Sequence, residues 1–381
     1  MSNSWQSALA RWTGAALVDA DQAGRIRAWE AEHGADAGSG RLALIAFGLG
    51  GLLLIAGLLL FVAAHWDELS PAGRFLLVLA MIAVAHVGGA FAAKGSAGLS
   101  ATLHAVGTGA LGAGIYLAGQ IFNMAEHWPG ALMLWSIGAA AGVYLLRQWP
   151  QVLWLAVVAP AWLWGEWVEA QAPGMFERGI TPAAVGVFLL ACAYLAAPPQ
   201  ESNAVWRRTL AWLGALALIP AAAMLSVSGS NDRLWRGESP AELAIAMLVT
   251  GWGLAIVLPL ALAFILRGRD AVYLLIALAW ALVVTRIDAS RDAGELALYA
   301  LLAAGAAGLA LWGVKDRQRL AINAGVFGFA LAVLFFYFSS LFDKLGRALG
   351  LIGIGVIFIG GGWLLERMRR RLIGRIAKPA P

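Results

Sequence analysis

About twelve apolar stretches run along this chain, each close to the length a helix needs to cross the hydrocarbon of a bilayer. The first covers about 42–64 and the last about 345–365, and charged residues between them are confined to short connectors. Backbone N–H and C=O groups inside lipid have to satisfy one another, and a continuous apolar run does so as a helix. The sequence therefore predicts an all-α fold, a polytopic transmembrane helical bundle. Composition agrees: 61% of the residues are hydrophobic and 13% charged, against about 45–50% and about 25% in a soluble domain.

Spans are expected at about 42–64, 74–93, 99–122, 130–146, 151–168, 180–197, 207–227, 242–266, 271–285, 295–313, 320–341 and 345–365. The breaks fall at polar connectors such as His65 to Pro71, Lys94 to Gly98, Arg147 to Pro150, Arg267 to Asp270 and Lys315 to Arg319. Lys and Arg bias sets orientation. The bias favours both termini in the cytoplasm, and most of it comes from the two ends. Three regions follow: a small cytoplasmic helical N-terminus at 1–41, a transmembrane domain at 42–366 and a basic cytoplasmic tail at 367–381. No charged leader, short apolar core and cleavage site precede the first span, which is expected to be retained. The tail carries Arg367, Arg369, Arg370, Arg371, Arg375 and Lys378. Directly after a span, such a cluster holds the end inside and touches anionic headgroups; it is not read as a nucleic-acid site.

Within the N-terminus, Trp5, Ala8, Leu9 and Trp12 recur at helical spacing, and Ala23, Ile26 and Trp29 form a second stripe. Asp19 followed by Gln22 has the form of a capping box. Many tryptophans lie near expected interfaces: Trp66, Trp128, Trp149, Trp162, Trp164, Trp167, Trp206, Trp312 and Trp363. They read as membrane anchors, because an indole has an apolar body and one polar edge.

Gly107-Thr-Gly109-Ala-Leu-Gly112 matches a dinucleotide fingerprint letter for letter, but it lacks the preceding strand that the fingerprint requires. Small residues there read instead as points of close helix approach. His86 in the second span and His104 in the third fall at similar depth on either side of the turn at Lys94 to Gly98. They are a candidate intramembrane pair, expected to face the bundle interior within direct or water-bridged reach. A structural hydrogen bond and a proton or ligand role are both open to them. His65, Asp67, Arg74, Gln120 and Asn123 all map to the outer ends of the first three spans and form a candidate polar cluster, structural or cavity-lining. No Asp, Glu, Lys or Arg lies at the middle of a span, which weighs against an ion pump and leaves a carrier of neutral or lipidic substrates. Cys192 is the single cysteine. With no ligand set of the usual kind, no metal and no cofactor are expected.

Leu17 to Ile26, Phe61 to Pro71 and Gly112 to Phe122 together resemble the DUF2157 family of predicted bacterial membrane proteins. The stretch Phe335 through Asp343-Lys344 to the arginine tail is similar to the end of such chains. Related chains often carry Asn where this one has His65. The resemblance implies a bacterial inner-membrane location and supplies no catalytic residues. The leading functional expectation is a carrier or channel-like protein for a small or lipidic substrate, with a cavity lined by the first three spans and membrane lipids as partners. The alternative is a non-catalytic scaffold or sensor whose N-terminal helices bind a cytoplasmic protein. A membrane enzyme centred on His65, Asp67 and His127 is the third.

Overall fold

The computed structural model describes Leu9, residues 11–33, scattered positions from 46 to 64, residues 69–122, 127–170, 181–197, 204–228, 245–289 and 292–341, and positions 359, 360 and 367. Among the described residues all regular structure is helical. At the N-terminus, α1 is Ala20–His33. Its capping box closes as a reciprocal pair: the Gln22 amide donates to Asp19 Oδ1 at 2.6 Å and the Asp19 amide donates to Gln22 Oε1 at 3.2 Å. Each side chain thus satisfies a backbone donor that the helix start would leave open.

The chain then runs through α2 (Pro71–Ala92), α3 (Ala97–Ile121), α4 (Trp128–Leu146), α5 (Trp149–Ala170), α6 (Thr181–Leu195), α7 (Ala204–Ser228), α8 (Ile245–Arg267), α9 (Tyr273–Val284), α10 (Asp292–Lys315) and α11 (Arg319–Phe336). These occupy the stretches expected from about 74 to 341. Seven apolar helical segments among the described residues are long and apolar enough to cross a membrane. That number differs from the expected twelve for physical reasons. The first and last stretches lie largely outside the described residues. Helix α6 is apolar but has 15 residues. Tryptophans together with Glu166 and Glu169 lower the apolar character of α5. A 3-10 turn at Gly268–Val272 divides one long apolar segment, Leu248–Val284, into α8 and the 12-residue α9.

The fold divides into two compact units, residues 1–127 with 134–154 and residues 128–133 with 155–381. In the first, α2 and α3 form an antiparallel hairpin. Ser70 and Ser96 start the two helices by accepting hydrogen bonds from the Gly73 and Leu99 amides, both at 3.2 Å. Glycines let the two backbones close: Gly114 faces Val78, Gly107 faces His86 and Gly89 faces His104.

In the second unit α6 is almost wholly buried, from Val185 to Leu195. An interior helix has no polar face to keep, which accounts for its uniform apolarity. Helix α7 approaches it so closely at Gly214 that an added Cβ would lie 2.5 Å from the Ala191 carbonyl. Helices α10 and α11 pair through Gly313 and Gly325. At one end of this unit the connectors converge on the C-terminus of α6. Arg267 holds Asp316 in a two-pronged ion pair at 2.6 and 2.7 Å and donates to the Ala196 carbonyl at 3.0 Å, while Gln318 donates to the Leu195 carbonyl. Arg207 donates to the Leu266 carbonyl at 2.7 Å. These side chains serve as caps for carbonyls that a helix end leaves open.

Candidate functional site

The hairpin of the first unit brings the two intramembrane histidines together. His86 Nδ1 and His104 Nδ1 are 3.1 Å apart, with ring centroids 5.3 Å apart and planes at 35°. The seating is reciprocal. Each ring lies against a glycine of the opposite helix, three residues beyond that helix's own histidine: a Cβ on Gly107 would meet the His86 ring at 2.7 Å, and one on Gly89 would meet His104 at 2.9 Å. The sequence thus reads His-x-x-Gly twice, at 86–89 and 104–107. Antiparallel pairing turns these repeats into one contact.

His104 also belongs to a polar column along α3. Ser100, His104 and Thr108 follow at four-residue spacing and so share a face, and all are buried. Facing them are two glutamines at the start of α5 and just before it. Thr108 Oγ1 lies 2.7 Å from Gln151 Oε1 and 3.1 Å from the His104 carbonyl. Gln148 Nε2 donates to Ser100 Oγ at 3.3 Å. Gln151 is fully buried, and Gly142 makes room for its amide, because a Cβ there would come within 2.6 Å of Oε1.

Two indoles close the column. Trp135 Nε1 donates to the Thr108 carbonyl at 2.8 Å and Trp154 Nε1 to the Ala105 carbonyl at 3.1 Å, with their rings 4.9 Å apart. Even so, hydrogen-bonding capacity is left over among the described residues: Gln151 Nε2 and Gln148 Oε1 are buried with no partner among them. Turning the Gln151 amide over would only exchange which terminal atom is orphaned, since Thr108 can engage one of them. A buried amide atom without a partner costs free energy, so this seam can take up another polar group.

The outer polar cluster is only partly within the described residues. His65, Asp67 and Asn123 lie outside them. Arg74 and Gln120 sit at the same end of the hairpin, where Phe75 and Phe122 meet edge to face at 5.6 Å; Gln120 is exposed. His127 is the residue before α4 and makes no side-chain cap.

Several tryptophans expected as anchors pack within the protein instead. Trp167 is buried against Gly251, Trp164 against Gly186, and Trp312 lies under the Arg267 guanidinium at 5.3 Å. Trp128, Trp149 and Trp206 are exposed.

The glutamines, Trp135 and Trp154 were not among the expected site residues. One signal for the column was legible: Ser100, His104 and Thr108 place polar groups at helical spacing inside an apolar span. The facing glutamines flank the Trp149-Pro150 break and look like interface residues in sequence. Residues 10–154, which contain the histidine pair and the whole seam, match the family model described as "Predicted membrane protein (DUF2157)". No curated protein and no solved structure matches the chain.

Proposed function

We propose that this multi-pass membrane protein carries a small, neutral, polar solute along the seam of its first unit. It has about twelve spans and sits in the inner membrane with both termini in the cytoplasm. The observation that carries the reading is the buried column Ser100, His104 and Thr108 with Gln148 and Gln151, whose amides keep hydrogen-bonding capacity that no other described residue takes up. A seam that only glued helices together would close its bonds. Neutral donors and acceptors suit an uncharged solute better than an ion. The orientation is supported by the second unit. Arg207, Arg208, Arg267, Arg269, Lys315, Arg317 and Arg319 cluster with Asp270 and Asp316 at one end, whereas Asp288, Asp292 and Glu295 lie with Arg286 near the far end of α9. The basic end is the cytoplasmic one by the usual bias.

The test is solute-driven swelling of proteoliposomes holding the full chain, followed by light scattering with glycerol, urea and small amides. Faster entry than in empty vesicles, slowed by Gln151→Leu, supports the carrier. Equal rates for every solute would remove it. A second reading, a sensor whose N-terminal helices dock a cytoplasmic protein, is favoured by the exposure of Trp12, Leu17 and Trp29. Removing residues 1–33 should leave solute entry intact if docking is their role.

A further inference from the structure

We propose that His86 and His104 together form a single proton-binding site, one added proton being shared by the two rings. The proposal rests on the carrier reading only for its purpose, as the coupling ion of the transport step. The geometry that supports it is independent of that reading.

Two Nδ1 atoms 3.1 Å apart need one hydrogen between them. With both rings neutral, one carries its proton on Nδ1 and donates, and the other carries its proton on Nε2 and accepts. An incoming proton binds the free Nε2 of the donor ring. That ring becomes an imidazolium whose Nδ1–H still points at its partner, so the contact survives and becomes charge-assisted. A second proton could bind only at the accepting Nδ1. It would set N–H against N–H and place two like charges side by side, which opposes uptake. The pair therefore accepts one proton with its geometry kept and a second only by separating. Because each ring is seated against a glycine of the facing helix, separation would take at least one ring out of its seat.

The surroundings leave this charge to the pair. Among the described residues no third His, Cys, Asp or Glu converges on it to make a metal-type cluster. On α2, α3 and the turn between them the other titratable side chains are Arg74, Lys94 and Tyr116, each more than two helical turns away along the chain. Gln148, Gln151, Trp135 and Trp154, which bond to α3, do not titrate near neutrality. Arg147, beside Gln148, is exposed. Gly51, which lies against Thr102, belongs to a stretch from 46 to 64 without a titratable residue. The spans carry no mid-membrane carboxylate or lysine, so this pair supplies the ionisable group they otherwise lack.

The experiment is solid-state 15N NMR of the full chain, labelled in its histidine rings, in lipid bilayers across the pH range in which it stays folded. The expected spectrum shows a coupling between two Nδ1 nuclei. On acidification one ring of the pair becomes an imidazolium while the coupling persists, and the coupling is lost only on uptake of a second proton. In His86→Gln the coupling vanishes and His104 titrates alone; in His104→Gln the same holds for His86. Absence of the coupling, independent one-step titration of both rings, or no proton uptake by either overturns the proposal, and the wild-type spectrum alone decides among these. Solute entry measured on the same vesicles separates the two readings: titration as expected without solute entry leaves the proton site standing and removes the carrier.

Discussion

The contact between His86 and His104 depends on two residues that have no side chain. Gly107 and Gly89 admit the rings because nothing projects into their space. Gly107→Ala places a methyl 2.7 Å from the His86 ring. It should cost about 1–3 kcal/mol by overpacking, measured as a fall in the midpoint of unfolding in mild detergent, and should abolish the Nδ1–Nδ1 coupling. Gln151→Leu separates the two readings of the seam. If the glutamine serves a solute, stability should change by less than about 1 kcal/mol, because an amide with one orphaned atom is exchanged for an apolar group of similar size. Solute entry should slow. A large loss of stability with unchanged entry would make the seam adhesive. The histidines were legible because one turn fixes the depth of both helices. The glutamines were not, because a polar residue at the edge of a span looks the same whether it meets headgroups or a neighbouring helix. Only the packing of α3 against Gln148 and Gln151 distinguishes these.

Helices follow from apolar run length and their ends from capping chemistry, and both could be read along most of this chain. Ser70 before Pro71 marks the start of α2, and Ser70→Ala should lower stability by about 1 kcal/mol in a denaturant titration. What could not be read was whether an apolar run is one helix or two. Gly268, at φ +62°, adopts the left-handed region open to glycine and ends α8. The 3-10 turn that follows returns the chain along α6, which is why Phe188 meets Trp280 at 5.1 Å. Nor does hydropathy reveal that α6 is interior, since lipid and protein favour the same side chains. Helix contact through glycine has a further consequence for α10 and α11. A Cβ on Gly325 would meet the Ala306 carbonyl oxygen and the Ala310 amide nitrogen, both at 2.6 Å. Backbone atoms cannot rotate away as a ring can. Gly325→Ala should therefore reduce folded protein in the membrane more than Gly107→Ala does, read as the monodisperse fraction on size exclusion.

At the scale of the molecule, the second unit gathers most of its described cations at one end and ties three connectors together there. The ion pair of Arg267 and Asp316 is the centre of that knot, with the arginine side chain 7% exposed and the aspartate 25%. Asp316→Asn leaves the guanidinium without its counter-charge. The expected loss is toward the lower end of about 3–5 kcal/mol, since the aspartate reaches solvent; the check is thermal unfolding beside Arg267→Met/Asp316→Leu, which should recover part of it. Reporter fusions within 198–203 and at 317 should read cytoplasmic, and one within 286–289 periplasmic. A periplasmic signal at 317 would overturn the orientation. The family match ends at Trp154, the residue whose indole closes the seam and the last of the first unit.

A hydrogen bond between two atoms of the same kind has no built-in polarity. Which histidine donates is decided by what its remote nitrogen meets: a ring whose Nε2 accepts a bond from outside must carry its proton on Nδ1, and its partner must then offer Nε2–H. In the neutral pair the far nitrogens are thus always opposite in character while the contact holds. A change at one reverses the other by the shift of protons alone, with no helix displaced.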